Sequence, residues 1–268
     1  MATSIQQKIE DTWEVPKYIT TEFRNKSSKY CICIPVINEG EKLKKQLSRM
    51  QPYAKLAGII ILDKGSTDSS TNPKFLKSQH VRTLLTLDDE GRQGTQLRMG
   101  VSYALKQNYQ GIIQIDGNNK DGVEQIPEFI KALDEGYDYV QGSRFISGGK
   151  AINTPLGRWI GVRLIASPLI SIAAWYLYTD VTNGFRGYSR KYLTHPKVKP
   201  FRNEFVRYEF NLYLTERANQ IGLKTKEIPV TRAYPKGMVP TKISPIKGNL
   251  DFLRTIIKVS LGQYHPQS

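Results

Sequence analysis

A chain of 268 residues with 39% hydrophobic content is long enough for one large domain or two small ones, and too apolar to remain disordered. Its formal charge of +15 is lopsided: residues 1–150 carry 21 Lys+Arg against 18 Asp+Glu, and residues 151–268 carry 18 against 6. The second half therefore faces something acidic, whether nucleic acid, anionic lipid headgroups or a phosphorylated substrate. Cys31 and Cys33 lie two apart, a spacing that suits buried thiols sharing one face of a strand in a reducing cytoplasm. It suits neither a disulfide framework nor a zinc site. Met1 to Lys17 holds no apolar signal core. The most apolar segment, Leu164 to Tyr178, is shorter than the roughly 20 residues a membrane span needs and contains Pro168. The expectation is a soluble protein or one lying on a membrane surface.

In chain order, residues 1–28 read as an irregular polar lead-in, with Trp13 docking on the domain. Tyr30 to Val36 is the first strand, and Glu41 to Met50 a helix with Leu43, Leu47 and Met50 at helical spacing. Gly58 to Leu62 is a second strand, Phe75 to His80 a helix, Val81 to Leu87 a third strand. Asp88 to Thr95 is a charged loop, and Gln96 to Lys106 a helix with Leu97, Val101, Ala104 and Leu105 on one face. Gly111 to Ile115 is a buried central strand that breaks into Asp116, Gly117, Asn118 and Asn119, which is turn chemistry. Gln125 to Leu133 is a helix and Tyr139 to Gln141 a strand. This steady alternation predicts an α/β fold with a mostly parallel sheet flanked by helices.

After about residue 150 the pattern changes. Arg158 to Tyr178 reads as one or two helices and Thr179 to Gly187 as loop. Tyr188 to Leu193 is a short element, Tyr208 to Ile221 a helix stopped at Gly222, and Lys226 to Thr231 an edge strand with Pro229. Ala233 to Gly248 is a Pro/Gly/Lys loop. Leu250 to Leu261 is amphipathic, with Leu250, Leu253, Ile256, Ile257 and Leu261 on one side.

Four strand ends in the first half carry polar side chains: Asn38-Glu39, Asp63 with Asp68, Asp116 with Asn118, and Ser143-Arg144. In open α/β sheets ligands bind at the C-terminal ends of strands, and a hard cation carrying a diphosphate wants such oxygens. Taken alone, each is an ordinary turn; order and spacing together carry the signal. On Pro35-Val36-Ile37-Asn38-Glu39, Asp63-Lys64-Gly65-Ser66-Thr67-Asp68, Gly94-Thr95, Asp116-Gly117-Asn118, Gly142-Ser143-Arg144, Asp180-Val181-Thr182-Asn183-Gly184-Phe185-Arg186 and the late Arg232…Lys242 loop, the chain resembles the family 2 glycosyltransferases. Within them it resembles the dolichyl-phosphate mannose synthase-like enzymes that make polyprenyl-phosphate sugars. The resemblance covers about residues 30–258.

The resemblance implies a GT-A fold with a Rossmann-like sheet. A lead-in (1–29) would precede a transferase domain (30–248), with a nucleotide-sugar half to about 147 and an acceptor half from about 148; an amphipathic helix and tail (249–268) would follow. It implies a GDP- or UDP-linked donor held by Pro35, Asn38, Glu39, Asp63, Gly65, Ser66, Arg92, Gly117 and Lys120, with Arg232 and Lys242 on a loop that closes over it. The family's Asp-x-Asp would hold Mg²⁺ or Mn²⁺ on the diphosphate. This chain departs from that pattern at Asn118 and Lys120. Either Asp121 supplies the missing carboxylate beside Asp116 and Asn118, or Lys120 lies against the diphosphate and partly replaces the metal.

A phosphate acceptor is already anionic and needs cations rather than a general base. Arg144, Arg158, Arg163 and Ser167 are its expected ligands. Asp116, Arg144, Asp180 and Arg186 form the catalytic set. A hydroxyl acceptor would instead call on Asp180 or Glu209 as base, in the alternative of polysaccharide or glycolipid synthesis. The Leu164 to Tyr178 stretch and the C-terminal helix then read as interfacial elements on the cytoplasmic membrane face, compatible with a separate anchoring subunit. Nucleic acid is set aside, because no helix-turn-helix, zinc or RNA-binding aromatic motif accompanies the charge.

Overall fold

Tyr30–Val36 is buried along its whole length, as a β-branched run inside a parallel sheet must be. The computed structural model, which describes residues 12–237 and 247–267, places this strand (β2) between β3 (Ala57–Asp63) and β5 (Gly111–Gln114), both parallel to it. Next to β3 lie β4 (Val81–Leu87), parallel, and then β1 (Tyr18–Glu22), antiparallel at the edge. On the other flank β8 (Arg186–Ser189) runs antiparallel between β5 and β6 (Tyr139–Ser143), and β9 (Thr225–Pro229) closes the edge. The order is β1-β4-β3-β2-β5-β8-β6-β9, and a separate parallel pair joins β7 (Lys150–Ile152) to β10 (Thr231–Ala233).

The period of two along β2 divides the core. Cys31 and Cys33, both free thiols, face one layer with α3 (Gln93–Lys106), α6 (Ser167–Ala174), α8 (Glu209–Gln220) and α9 (Lys247–Ser260). Ile32, Ile34 and Val36 face the other, with α1 (Glu41–Met50), α2 (Pro73–Ser78) and α4 (Ile126–Asp134). The expected α/β fold with a mostly parallel sheet and flanking helices is therefore present.

Several elements differ from the sequence reading. The lead-in is not irregular, since Tyr18–Glu22 adds an edge strand; Trp13 does dock on the domain, its ring tilted against Phe201 with centres 4.2 Å apart. The α2 helix starts earlier, at Pro73, because Asn72 accepts from the backbone of Lys74 and Phe75 as N-cap. Leu156–Ala174 is one helical run of 19 residues with mean hydropathy 1.3, long and apolar enough to cross a membrane by length and composition, where a shorter segment was expected. It comprises α5 (Leu156–Ile160), a π-helical stretch (Gly161–Ala166) and α6; the short α7 (Arg190–Leu193) follows β8. Pro168 cannot donate to the carbonyl one turn back, which accounts for the widened turn before it. The C-terminal stripe is split: Ile256 enters the core beside Val259, while Leu250, Ile257 and Leu261 stay exposed.

Two features brace the C-terminal edge of the sheet. Gln96 of α3 is buried and its Nε2 donates to Val36 O at 2.8 Å and Leu62 O at 2.6 Å, tying the helix to the ends of β2 and β3. Gly94 N donates to Val206 O at 2.9 Å, and a Cβ there would lie 2.7 Å from Arg207 O, so only glycine allows this approach. Replacing Gln96 by Leu removes both bonds without opening a cavity. It is expected to cost about 1–3 kcal/mol, read as a lower urea midpoint at unchanged slope.

The tail after α9 docks on α8, where His265 Nε2 lies 3.1 Å from the buried Glu216 Oε1. Burial pushes the Glu216 carboxyl up to about 7, and burial pushes His265 down. A raised carboxyl favours folding while protonated, so the Glu216 contribution to stability is expected to fall as pH rises from about 4.5 through about 7, against a smaller opposite contribution from the lowered His265. Thermal melts across that window should flatten in Glu216→Gln; an unchanged slope would place the titration elsewhere.

Candidate active site

Parallel pairing brings the polar strand ends into one row. Val36 pairs with Asp63, and Gly117 lies so close to Val36 that a Cβ would meet its Cγ1 at 2.6 Å. Pro35 lies beyond the last β2–β5 pair, Cys33↔Gln114, where no ladder bond is needed from it. Because β8 runs antiparallel, the loop before it arrives at this same edge. A Cβ on Gly184 would lie 2.6 Å from Asp116 Oδ1, so the loop's backbone packs on the carboxylate.

The loops after β2 and β3 are stitched together by the residues expected to hold a nucleotide. Asp63 accepts from Ser66 N at 3.0 Å and Ser66 Oγ at 2.6 Å, Asn38 N donates to Ser66 Oγ at 3.0 Å, and Asn38 Oδ1 accepts from Thr67 N at 2.8 Å. Asn38 and Gly65 have φ of 48° and 77°, which Asn and Gly tolerate. Glu39 lies 3.7 Å from Lys42. Arg92 is exposed at the start of α3.

The centre of the site is an ion cluster. Arg232 on β10 donates through Nη1 to both Asp121 oxygens, at 2.8 and 2.6 Å, and through Nη2 to Asp116 Oδ2 at 3.0 Å. Gln93 Nε2 donates to the other Asp116 oxygen at 3.2 Å. Burial alone would lower Arg232, but Asp121 and Asp116 outweigh it and hold the guanidinium charged. Tyr234, two residues on and buried, gathers the remaining cations. Arg158 Nη1 donates to its hydroxyl at 2.9 Å, and Lys120 Nζ stands 5.0 Å from its ring centre. Burial raises the Tyr234 phenol, yet Arg232, Arg158 and Arg144 together bring it below the ordinary value. Lys120 is pushed down, first by burial and then by Arg232 and Arg158.

Other expected site residues have structural engagements. Arg144 and Asp180 form a buried bidentate pair, Nε to Oδ2 at 2.6 Å and Nη2 to Oδ1 at 2.8 Å, which leaves Asp180 poorly placed to act as a base. Arg186 does not reach the cleft surface: it is buried and donates to the carbonyls of Val181, Asn183 and Asn211. Ser167 is buried beneath the 179–185 loop, its Oγ accepting from Val181 N at 3.4 Å. Arg163 stacks over Phe145 at 5.4 Å. At the start of α8, Glu209 accepts from Arg207 N at 2.5 Å. Lys242 lies outside the described residues.

The expected metal ligands do not fit a divalent cation. Such an ion at a diphosphate is held by one or two carboxylates, with phosphate oxygens and water completing its shell, and here Asp116 Oδ2 is already on Arg232. Both Asp121 oxygens are on Arg232, Asn118 Oδ1 accepts from Lys120 N at 3.2 Å, and Lys120 brings an ammonium. Among the described residues no group of three or more His, Cys, Asp or Glu side chains could hold a metal ion. Sequence reasoning also missed Gln93, Gln96 and Tyr234. Gln93 directly precedes the quoted Gly94-Thr95, and Tyr234 is an aromatic set among basic residues.

The model of the Glycosyl transferase family 2 matches residues 31–195. An undecaprenyl-phosphate mannosyltransferase of Micrococcus luteus is 26% identical over 205 residues, covering 74% of this chain and 81% of that one. A polyprenol monophosphomannose synthase of Mycolicibacterium smegmatis is 25% identical over 207 residues, covering 75% and 76%. In fold, the chain is similar to the glucosyl-3-phosphoglycerate synthase of Mycobacterium tuberculosis solved with Mn²⁺, uridine diphosphate and phosphoglyceric acid. The TM-score is 0.62 at 17% identity, over 89% of this chain and 80% of that one. This places the present sheet among GT-A structures.

Asp180→Asn is expected to destabilise the protein by about 3–5 kcal/mol, because it leaves the Arg144 charge buried without its partner. Urea melts check this; an unchanged midpoint with lost turnover would restore Asp180 as a base.

Proposed function

The chain belongs to glycosyl transferase family 2, and from that premise we propose that it moves a sugar from a GDP- or UDP-linked donor to a polyprenyl phosphate, with inversion, at the cytoplasmic membrane face. One observation carries this reading. Arg158 sits on the helix whose Leu156, Trp159, Ile160 and Leu164 are exposed, and its guanidinium reaches into the cleft to Tyr234. A lipid phosphate needs apolar surface for its chain and cations for its headgroup, and this helix offers both within one turn.

The cleft's residues then divide the work. Asp63, Ser66 and Asn38 shape the loops against which the nucleoside lies. The acceptor phosphate is held by Arg158, and by Nη1 of Arg144, which is buried and has no hydrogen-bond partner among the described residues. Arg163 lies alongside, over Phe145. The ionised phosphate oxygen attacks the anomeric carbon opposite the departing diphosphate, so no proton has to be removed first. The helix lies along the surface rather than across the bilayer: Val162, Ala166, Ile170 and Ala174 face the core while Ile172, Trp175 and Leu177 face outward.

Incubation with labelled nucleotide sugars and polyprenyl phosphate is expected to move label into the organic extract. Label appearing only on hydroxyl acceptors would support polysaccharide or glycolipid synthesis instead. Arg158→Ala should raise the acceptor KM about tenfold while leaving the donor KM within about twofold, the worth of one charge-assisted hydrogen bond. An equal rise in both would contradict its assignment to the acceptor. Changing Ile172, Trp175 and Leu177 to Ser should release the protein from anionic vesicles in co-sedimentation; unchanged binding would move the membrane contact elsewhere.

A further inference from the structure

Within the donor-binding function proposed above, the chemistry of the leaving diphosphate still has to be met, since charge builds on it as the sugar's C1–O bond breaks. A divalent cation is one solution and fixed protein cations are another. Three observations favour the second. First, the guanidinium of Arg232 occupies the carboxylates that a metal would require, lying 3.0 Å from Asp116 and 2.6 and 2.8 Å from Asp121. A dication on Asp116 would be driven against that guanidinium. Second, the Lys120 ammonium forms no ion pair with a carboxylate among the described residues, and is only partly exposed above the Tyr234 ring. A cation so placed lacks its anion. Third, the cluster sets three cations, Arg232, Lys120 and Arg158, against two carboxylates, Asp116 and Asp121, so it is already positive before any ligand arrives.

We infer that the donor's diphosphate is held and neutralised by Arg232 and Lys120 of the chain itself, with no divalent cation bound between Asp116 and Asn118. Asp116 and Asp121 are then positioning residues, fixing the guanidinium so that its remaining N–H groups face the diphosphate. As transfer proceeds, the electron pair of the broken C1–O bond passes to the diphosphate oxygen, the acceptor phosphate oxygen forms the new bond to C1, and the two side chains take up the displaced charge as hydrogen-bond donors.

The test is calorimetry on the full chain, titrating GDP, UDP, ADP, CDP and TDP in EDTA and again in Mn²⁺, and Mn²⁺ by itself. The expected result is that at least one diphosphate binds in EDTA with an affinity within about threefold of that in Mn²⁺, and that Mn²⁺ alone gives no saturable heat. Lys120→Gln should weaken that binding at least about tenfold at unchanged melting temperature. Diphosphate binding by the unaltered chain only in Mn²⁺ would overturn the inference and leave the transferase reading intact. Binding of no diphosphate under either condition would remove the transferase reading beneath it as well.

Discussion

A single guanidinium organises the cleft. Removing Arg232, Asp116 and Asp121 from water costs several kcal/mol for each ion, and only close multidentate geometry offsets that. The contacts supply it, three charge-assisted bonds between 2.6 and 3.0 Å. The backbone repeats the same connection: β10 pairs with β7 through Arg232↔Ala151, and Ala233 N donates to Lys120 O at 2.8 Å. Side chain and main chain thus lock the loop after β5 to a strand more than a hundred residues later, and this lock places Lys120 and Tyr234 relative to Asp116. Without it, the basic residues of the second half would have no fixed relation to the acidic strand ends of the first.

This lock was not legible in the sequence, and the reason is physical. The strand ends of β2, β3 and β5 announce themselves locally, because a buried β-branched run that breaks into Asp, Asn and Gly has few other readings. The pairing of Arg232 with Asp121 spans 111 positions, and that of Arg144 with Asp180 spans 36, so no local pattern encodes either. Asp121 and Asp180 therefore looked like available carboxylates when both are bound by arginine. β8 escaped for a different reason. Arg186-Gly187-Tyr188-Ser189 has no apolar run, and is buried because Arg186 finds backbone carbonyls and Tyr188 finds Gln114. Tertiary hydrogen bonding replaced the hydrophobic signal by which strands are read. The edge strand β1 hid likewise, since Tyr18–Glu22 is mostly exposed.

The helical run from Leu156 to Ala174 shows how one element can serve two surfaces. Its inward residues are small or β-branched and pack on α8 and α9, which leaves large side chains on the outside: Trp175 is 75% exposed and Leu177 82%. Trp175 adopts φ of 54° where the helix ends, a conformation unfavourable for a bulky residue. That turn allows Tyr176 and Tyr178 to pack inward while Trp175 and Leu177 project.

The distribution of charge bears on which nucleophile the cleft suits. The carboxylates gathered there are engaged: Asp180 by Arg144, Asp121 by Arg232, and Asp116 by Arg232 and Gln93. A hydroxyl acceptor would need one of them to take its proton, and each would first have to give up a charge-assisted bond in a buried setting. An ionised phosphate makes no such demand and gains from the excess cations around Tyr234. The arrangement therefore separates two tasks that a single acidic residue would otherwise combine. In the proposed reading the carboxylates hold arginines in place, and the arginines and lysine meet the anions. A site built this way favours reactions in which the entering group already carries its negative charge, which is the property the proposed acceptor has.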